Sequence, residues 1–145
     1  MSLNDPKSKM SKSNKSERSR ILITDTPDQI KAKIASALTD SLPGITYDID
    51  ARPGISNLLD ILSIFDAEGR SPKFLAEQFG DLSPRQLKET VTDAVVSGLH
   101  GVRERYMALL DSRDNHLDLI AKEGARKAQK SSEETMVLVK EAVGL

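Results

Sequence analysis

The sequence predicts an all-α fold, a helical bundle, on three observations. Aromatic residues make up 3% of the 145 residues and Trp is absent, so the core must come from Leu, Ile, Val and Ala, which suits packed helices better than a β-sandwich. Two stretches, Thr26-Pro27-Asp28-Gln29 and Ser83-Pro84-Arg85-Gln86, have the form of capping boxes with Pro at the first helical position. After each of them, apolar residues recur every three or four positions, the spacing of a helix face.

Local signals delimit the first three helices. The first is expected to open at Thr26 and to end before Pro43-Gly44, and the second to open at Pro53 and to close at Gly69. A short third helix is predicted from Ser71-Pro72 to Phe79. Ahead of them, the apolar run Ile21–Ile23 is compatible with a brief strand or with a tight connection.

Two long helices follow. In the fourth, which begins at Ser83, Gly98 and Gly101 each weaken the helix by roughly 1 kcal/mol relative to Ala, so a kink is possible there. The last helix begins near Asn115 and carries a seam of mostly small residues whose spacing alternates between four and three. The seam consists of Leu117, Ala121, Gly124, Ala128, Ser131, Thr135, Leu138 and Ala142.

Charge and composition exclude several kinds of function. The net charge is −1, but residues 1–20 hold six basic and two acidic side chains, a net of +4. A local basic segment indicates a local anionic ligand rather than general coating of nucleic acid. The chain has no Cys, which excludes disulfides, thiolate zinc sites and thiol catalysis. It has no apolar run near the roughly 18 residues that span a bilayer, so no membrane is expected as a partner.

The stretch Lys9-Met10-Ser11-Lys12-Ser13 has the side chains that a nucleoside triphosphate requires. Lysines neutralise phosphate oxygens, hydroxyls donate hydrogen bonds to them, and a Met can lie against a purine. Five residues alone are also compatible with a solvated Lys/Ser tail, and the polar segment 1–20 has no periodicity of its own.

Other motifs accompany this stretch in a fixed order. Together they resemble the C-terminal part of the tryptophanyl-tRNA synthetases of the bacterial and mitochondrial type, which are class I aminoacyl-tRNA synthetases. The sibling tyrosyl enzymes lack two of these motifs, the long one at residues 52–59 and the one at residues 124–128. The motifs are Ser2-Leu3-Asn4-Asp5-Pro6, Arg20-Ile21, Asp25-Thr26-Pro27, Tyr47-Asp48, Arg52-Pro53-Gly54-Ile55-Ser56-Asn57-Leu58-Leu59, Arg103-x-Arg105-Tyr106, Gly124-Ala125-x-Lys127-Ala128 and Val143-Gly144-Leu145.

The resemblance implies that residues 9–13 are the mobile signature that binds ATP. Lys12 and Lys9 would be the catalytic residues, because they would stabilise the triphosphate while the tryptophan carboxylate attacks the α-phosphate. Ser11 and Ser13 would complete the ATP site, and Met10 would lie near the adenine. The family often continues with Asp-Pro, whereas Asn14-Lys15-Ser16-Glu17 follows here.

The resemblance also implies a division of the chain. Residues 1–25 would be the ATP loop and its connection from a Rossmann catalytic domain, and residues 26–145 a helical domain that binds tRNA and its anticodon. The Rossmann domain and the tryptophan pocket precede the loop in the family and are not in this sequence. The chain is therefore expected to be a C-terminal fragment of a tryptophan–tRNA ligase, inactive by itself. The alternative is a free-standing, non-catalytic helical module that binds RNA or a protein.

The implied partners are tRNA(Trp), tryptophan and ATP, with Mg²⁺ arriving with ATP rather than bound by this segment. The parent enzyme would be a homodimer in the mitochondrial matrix or, alternatively, in a bacterial cytoplasm. Arg103, Arg105, Arg126 and Lys127 are the tRNA candidates; solvated helix faces with pairs such as Glu123–Lys127 are the other interpretation. These four belong to a larger basic set on the last two helices that also includes Lys88, Arg113, Lys122 and Lys130. His100 and His116 are interpreted as helix-face residues, and Asn57 as a hydrogen-bonded core amide.

Overall fold

The computed structural model describes residues 1–111 and 115–144, and every regular element within those ranges is helical. The prediction of an all-α fold is confirmed there. Arg113 and Leu145 lie outside the described residues.

At Ile21–Ile23 the chain makes a tight connection rather than a strand, since the Asp25 amide donates to the Leu22 carbonyl at 3.1 Å. The helices are α1 (Pro27–Ala35), α2 (Pro53–Phe65), α3 (Pro72–Gln78), α4 (Pro84–Asp111) and α5 (His116–Val143), and a 3₁₀ turn covers Glu17–Ser19.

Both predicted capping boxes form. The Thr26 hydroxyl accepts from the Gln29 amide at 3.2 Å, and the Gln29 side chain accepts from the Thr26 amide at 2.8 Å. At the start of α4, the Gln86 amide donates to the Ser83 hydroxyl at 3.3 Å and the Ser83 amide donates to the Gln86 side chain at 2.9 Å. Such a cap is worth about 1 kcal/mol, so each helix start is defined by its own sequence.

The chain divides into two compact units, Met1–Glu104 and Arg105–Leu145. In the first, α2 is central, because Ile55, Leu58 and Leu59 have no exposed surface. The buried apolar cluster draws on residues from both before and after α2: Leu3, Ile30, Ile34, Ala37, Ile45, Ile55, Leu58, Leu59, Leu62, Leu75, Ala76, Leu87, Val91 and Val95. The boundary predicted after residue 25 separates an ATP-binding part from a tRNA-binding part, and this functional division stays a prediction.

The second unit contains the end of α4 and all of α5. No residue of α5 is buried among the described residues. Its apolar side chains, among them Leu117, Ile120 and Leu138, are each about half exposed or more. The packing that the predicted seam implies, and with it a bundle that includes α5, stays a prediction.

The connector between α1 and α2 is held by one buried guanidinium. Arg52 is 4% exposed and forms an ion pair of 2.7 Å with Asp40. The same side chain donates to the Gly44 carbonyl at 2.9 Å, the Thr46 hydroxyl at 3.0 Å and the Leu42 carbonyl at 3.2 Å. The hydrogen bond from Arg52 lowers the pKa of Asp40 below its ordinary value. Because the connector has no regular structure of its own, these bonds determine its path.

Gly98 has a packing role that helix propensity does not reveal. α4 is one helix across Gly98 and Gly101. A Cβ atom at Gly98 would lie 2.2 Å from Cδ1 of Phe65, whereas a Cβ atom at Gly101 would meet nothing within 4 Å. Gly98 therefore makes room for an α2 side chain against α4, and Gly101 does not.

The turn between α2 and α3 depends on Asp66. Its carboxylate accepts from the Arg70 amide at 2.8 Å and from the Arg70 guanidinium, and Gly69 adopts a φ of 66° inside the turn. The hydrogen bonds from the Arg70 side chain and backbone lower the pKa of Asp66 from 3.8 to about 2.

Gly54→Ala is expected to destabilise the protein, and Gly101→Ala to stabilise it. A Cβ atom at Gly54 would lie 2.2 Å from the Leu38 carbonyl oxygen, a backbone atom that cannot rotate away. Overpacking of this kind costs about 1–3 kcal/mol. The same substitution at Gly101 has open space and gains up to about 1 kcal/mol of helix propensity. Urea unfolding followed by circular dichroism measures both, and equal shifts of the two variants would contradict the close approach.

Asp66 is expected to contribute to a loss of stability as the pH falls from about 4 to 2. Because its folded-state pKa lies below the ordinary 3.8, its stabilising effect is complete above that value and disappears as the carboxylate is protonated near pH 2. Asp66→Asn should be less stable than the wild type at pH 5, and the difference should shrink towards pH 2. Thermal unfolding across this range is the measurement. A difference independent of pH would show that the Asp66 charge has no effect.

Candidate functional site

The predicted signature lies in a closed loop, here called the basic loop (residues 4–18). Its two ends meet: the Leu3 amide donates to the Ser19 carbonyl at 3.0 Å, and the Asn4 side chain donates to the Ser16 hydroxyl at 3.0 Å. Leu3 and Ser19 are each 1% exposed. A surface loop whose ends are adjacent and buried is a defined structural unit, in contrast to a free tail.

Residues 1–3, here called the anchoring segment, attach the loop to the helices. The Leu38 amide, just after α1, donates to the Leu3 carbonyl at 2.8 Å. The Ser2 amide donates to the Ser8 carbonyl at 2.8 Å, within the basic loop. The anchoring segment therefore has the helical core on one side and the loop that carries the signature on the other.

The other end of the loop is held by Arg20. Its guanidinium donates to the Asn14 carbonyl at 3.0 Å and to the Ser16 carbonyl at 3.3 Å. Further along, buried Asp25 and Lys33 form an ion pair of 2.5 Å that joins this connection to α1. The backbone that follows the signature is therefore fixed by side chains at two successive points.

The signature itself presents two lysines to solvent. Lys9 and Lys12 are exposed, and neither forms an ion pair with any residue that the structure describes. Between and after them the chain turns: the Asn14 amide donates to the Ser11 carbonyl at 3.2 Å, and the Ser13 amide donates to the Ser11 hydroxyl at 3.3 Å. Two ammonium groups and two hydroxyls on one short stretch of loop can bind an anion with several oxygens.

Met10 is placed differently from its neighbours. It is half-buried and packs against the hydrophobic core of the first unit. This contact fixes the middle of the signature between the two exposed lysines. A place for Met10 near an adenine stays a prediction.

The four tRNA candidates are divided between the two units. Arg103 belongs to the first unit, and Arg105, Arg126 and Lys127 belong to the second. Arg103 is half-buried, and its Nε is buried with no hydrogen-bond partner among the described residues, whereas the other three side chains are exposed. Lys127 lies 2.9 Å from Glu123, so the predicted pair between these two residues forms.

The histidines and acidic residues do not suggest a metal centre in the part of the chain that the structure describes. No three His, Asp or Glu side chains there could hold a metal ion together. His100 is exposed and lies 3.4 Å from Glu104, one turn along α4, as expected for a helix-face residue. Within the same described residues, no helix combines the length and the apolar character needed to cross a bilayer.

Sequence reasoning missed the residues that close the loop. Leu3 and Ser19 belong to a segment with no periodicity. Asn57 is a buried, hydrogen-bonded amide as predicted, but the sequence pattern does not indicate its partner. The Asn57 side chain in fact donates to the Ser2 carbonyl at 3.2 Å. The one available signal was the pair of apolar residues, Leu3 and Ile21, that flank the polar run and both contact the core.

The structure thus places a basic loop, with two exposed lysines that have no ion-pair partner among the described residues, against a body of helices. The chain belongs to the family of class I tRNA synthetases for tryptophan and tyrosine (W and Y), whose sequence model matches residues 1–100. The predicted resemblance to this family is thereby confirmed, and the placement of the chain in its C-terminal part stays a prediction.

Individual relatives point to the tryptophan branch. The chain is 38% identical over 148 residues to the tryptophan–tRNA ligase of Listeria monocytogenes, covering all of this chain and 43% of that protein. It is 39% identical over 145 residues to the mitochondrial tryptophan–tRNA ligase of Dictyostelium discoideum, covering 100% of this chain and 38% of that protein. It also resembles the crystal structure of tryptophanyl-tRNA synthetase from Mycoplasma pneumoniae, with a TM-score of 0.71, 29% identity and coverage of 100% of this chain and 45% of that one. The chain spans less than half the length of each of these relatives.

Proposed function

We propose that this chain provides the ATP signature loop and the helical tRNA-binding domain of a tryptophan–tRNA ligase. The observation that carries the proposal is the basic loop, which is anchored in the core at both ends and exposes Lys9 and Lys12 without ion-pair partners among the described residues. The relatives are tryptophan–tRNA ligases, and each is more than twice as long as the part that this chain matches. The part that binds tryptophan and the adenosine of ATP is proposed to lie in the remainder of a longer protein.

In this function the two lysines act on the triphosphate. Tryptophan's carboxylate attacks the α-phosphate, and pyrophosphate leaves with more negative charge than it carried in ATP. Lys12 stabilises that charge and Lys9 supports it, while Ser11 and Ser13 donate hydrogen bonds to phosphate oxygens. Met10 lies near the adenine, and Mg²⁺ arrives on ATP.

The proposed partners are tRNA(Trp), bound by the helical domain, and a second copy of the full-length protein in a homodimer. The relatives include bacterial proteins and a mitochondrial one. We propose the mitochondrial matrix as the compartment, with a bacterial cytoplasm as the alternative. A free-standing module that binds RNA or a protein is not favoured, because the family match covers the signature as well as the helices.

In the full-length protein, Lys12→Ala is expected to slow tryptophan activation on the order of a hundredfold, with little change in tryptophan binding. Loss of one preorganised donor to a charge that develops in the transition state typically costs about 3 kcal/mol. Single-turnover activation with ATP and tryptophan measures the rate.

Lys15→Ala is the matched control, because Lys15 lies in the same basic loop and is exposed but falls outside the signature. Its activation rate should fall only a few-fold. Equal, small losses in the two variants would mean that the lysines act only through bulk charge, and the assignment of the signature would be wrong.

If the basic helices contact tRNA, affinity should fall steeply with salt, because each neutralised phosphate releases counterions. Replacing the three exposed candidates, Arg105, Arg126 and Lys127, by Ala should flatten the plot of log affinity against log salt by roughly 2 units. Arg103 is kept, because its half-buried guanidinium is part of the first unit. Filter binding of tRNA(Trp) at several salt concentrations measures the slope.

The control replaces an equal number of exposed basic residues in the first unit, Lys31, Lys73 and Arg85. It should leave the slope nearly unchanged. If both triple variants behave alike, the candidates on α4 and α5 are solvated residues without a tRNA contact.

A further inference from the structure

Asn57 is a buried polar residue whose side chain forms hydrogen bonds to residues far away in the sequence. It is 5% exposed and sits in α2, surrounded by apolar side chains. Its Nδ2 donates to the Ser2 carbonyl at 3.2 Å and approaches the Met1 carbonyl at 3.4 Å, and its Oδ1 accepts from the Met1 amino group at 2.9 Å. The partners are 55 and 56 residues away along the chain.

We propose that Asn57 is a positioning residue for the signature: it fixes the anchoring segment and thereby the place from which Lys9 and Lys12 reach the triphosphate. This inference rests on the proposed function and adds to it a residue in the helical domain, remote from the reacting atoms. It assigns the amide a role in activation beyond filling the core.

The path from Asn57 to the signature is short. Ser2 is bonded to Asn57 through its carbonyl and to Ser8 through its amide. Ser8 is the residue directly before Lys9, so a displacement of Ser2 displaces the first lysine of the signature. Because the Leu3 amide donates to the Ser19 carbonyl, a displacement of the anchoring segment also moves the other end of the loop.

The geometry requires an amide. An Asn side chain has a donor and an acceptor side by side, and here the donor pairs with the Ser2 carbonyl while the acceptor pairs with the Met1 amino group. A Leu side chain has nearly the same shape but would leave the carbonyl of Ser2, which is 2% exposed, without its donor in a buried position. An Asp carboxylate would accept but could not donate, and it would face two carbonyl oxygens. If the Asn57 side chain only filled space in the core, a Leu side chain would fill it equally well.

The neighbouring residue Ser56 provides a matched control. It is 1% exposed, and its hydroxyl accepts from the Asp48 amide at 3.0 Å, in the connector before α2. Ser56→Ala thus removes a buried hydrogen bond from the same turn of α2, and that bond is made to the connector rather than to the anchoring segment. A merely structural role for Asn57 predicts that the variants at residues 56 and 57 behave alike.

The first measurement is amide hydrogen exchange on this 145-residue chain, and it does not depend on enzyme activity. In Asn57→Leu, the amides of Ser2 and Leu3 should exchange at least about tenfold faster than in the wild type, while amides in the core of α2 stay protected. In Ser56→Ala, the Asp48 amide should change instead. Asn57→Asp serves the same purpose if the Leu variant fails to fold.

The second measurement is tryptophan activation by the full-length protein. Asn57→Leu or Asn57→Asp should lower kcat on the order of tenfold, because small misplacements of a catalytic group carry costs of this size, and should leave KM for tryptophan within about twofold. Ser56→Ala should stay near the wild-type rate. Unchanged exchange at Ser2 and Leu3 in both Asn57 variants would overturn the inference, and so would an equal loss of kcat in Ser56→Ala.

The two measurements separate this inference from the proposed function. If the wild-type full-length protein does not activate tryptophan, the proposed function fails and the positioning of a signature for that reaction fails with it, whatever the exchange data show. If the wild type is active and the Asn57 variants match Ser56→Ala in rate and in exchange, the proposed function stands and Asn57 is a structural residue only.

Discussion

The rest of the structure depends on the anchoring segment, three residues of irregular backbone that lie against a hydrophobic core. Unpaired backbone N–H and C=O groups are costly in such a place, so each of them needs a hydrogen-bond partner. Ser2 and Leu3 are almost fully buried. Each backbone polar group of residues 1–3 has a partner, and those partners come from the basic loop, the end of α1 and α2. The hydrogen bonds that pair these groups hold the polar basic loop and the helices together in one unit.

Buried ion pairs have a related role elsewhere in the first unit. The chain has no Cys, and two of its irregular connections are held by the pairs Asp25–Lys33 and Asp40–Arg52. A buried pair is weak evidence for stability, since desolvation offsets much of the attraction, but removing one partner leaves an uncompensated charge. Such pairs specify which path a connection takes. Here they do so on either side of α1, directly after the candidate site.

The sequence predicted the helices well because their starts are local events. Thr26 with Gln29, and Ser83 with Gln86, sit three residues apart, and their hydrogen bonds form as the pattern indicates. The signature could be found for the same reason, since its five residues are contiguous. The closure of the basic loop could not be predicted from pattern, because it depends on contacts such as Asn57 with Ser2 that no spacing rule describes. Helix propensity alone likewise describes Gly98 as a weak point and misses the approach of Phe65.

The long separation between Asn57 and its partners also constrains the order of folding. Bonds between residues 55 and 56 positions apart can form only after the intervening α1 and connector have become compact, because the entropy of closing a long loop must be offset by contacts already made. The capping boxes of α1 and α4 join residues only three positions apart, so they can form without earlier long-range contacts. We therefore expect the helices to form early and the basic loop to acquire its fixed shape late. During synthesis the signature would emerge before α2 and acquire a defined geometry only once α2 had been synthesised.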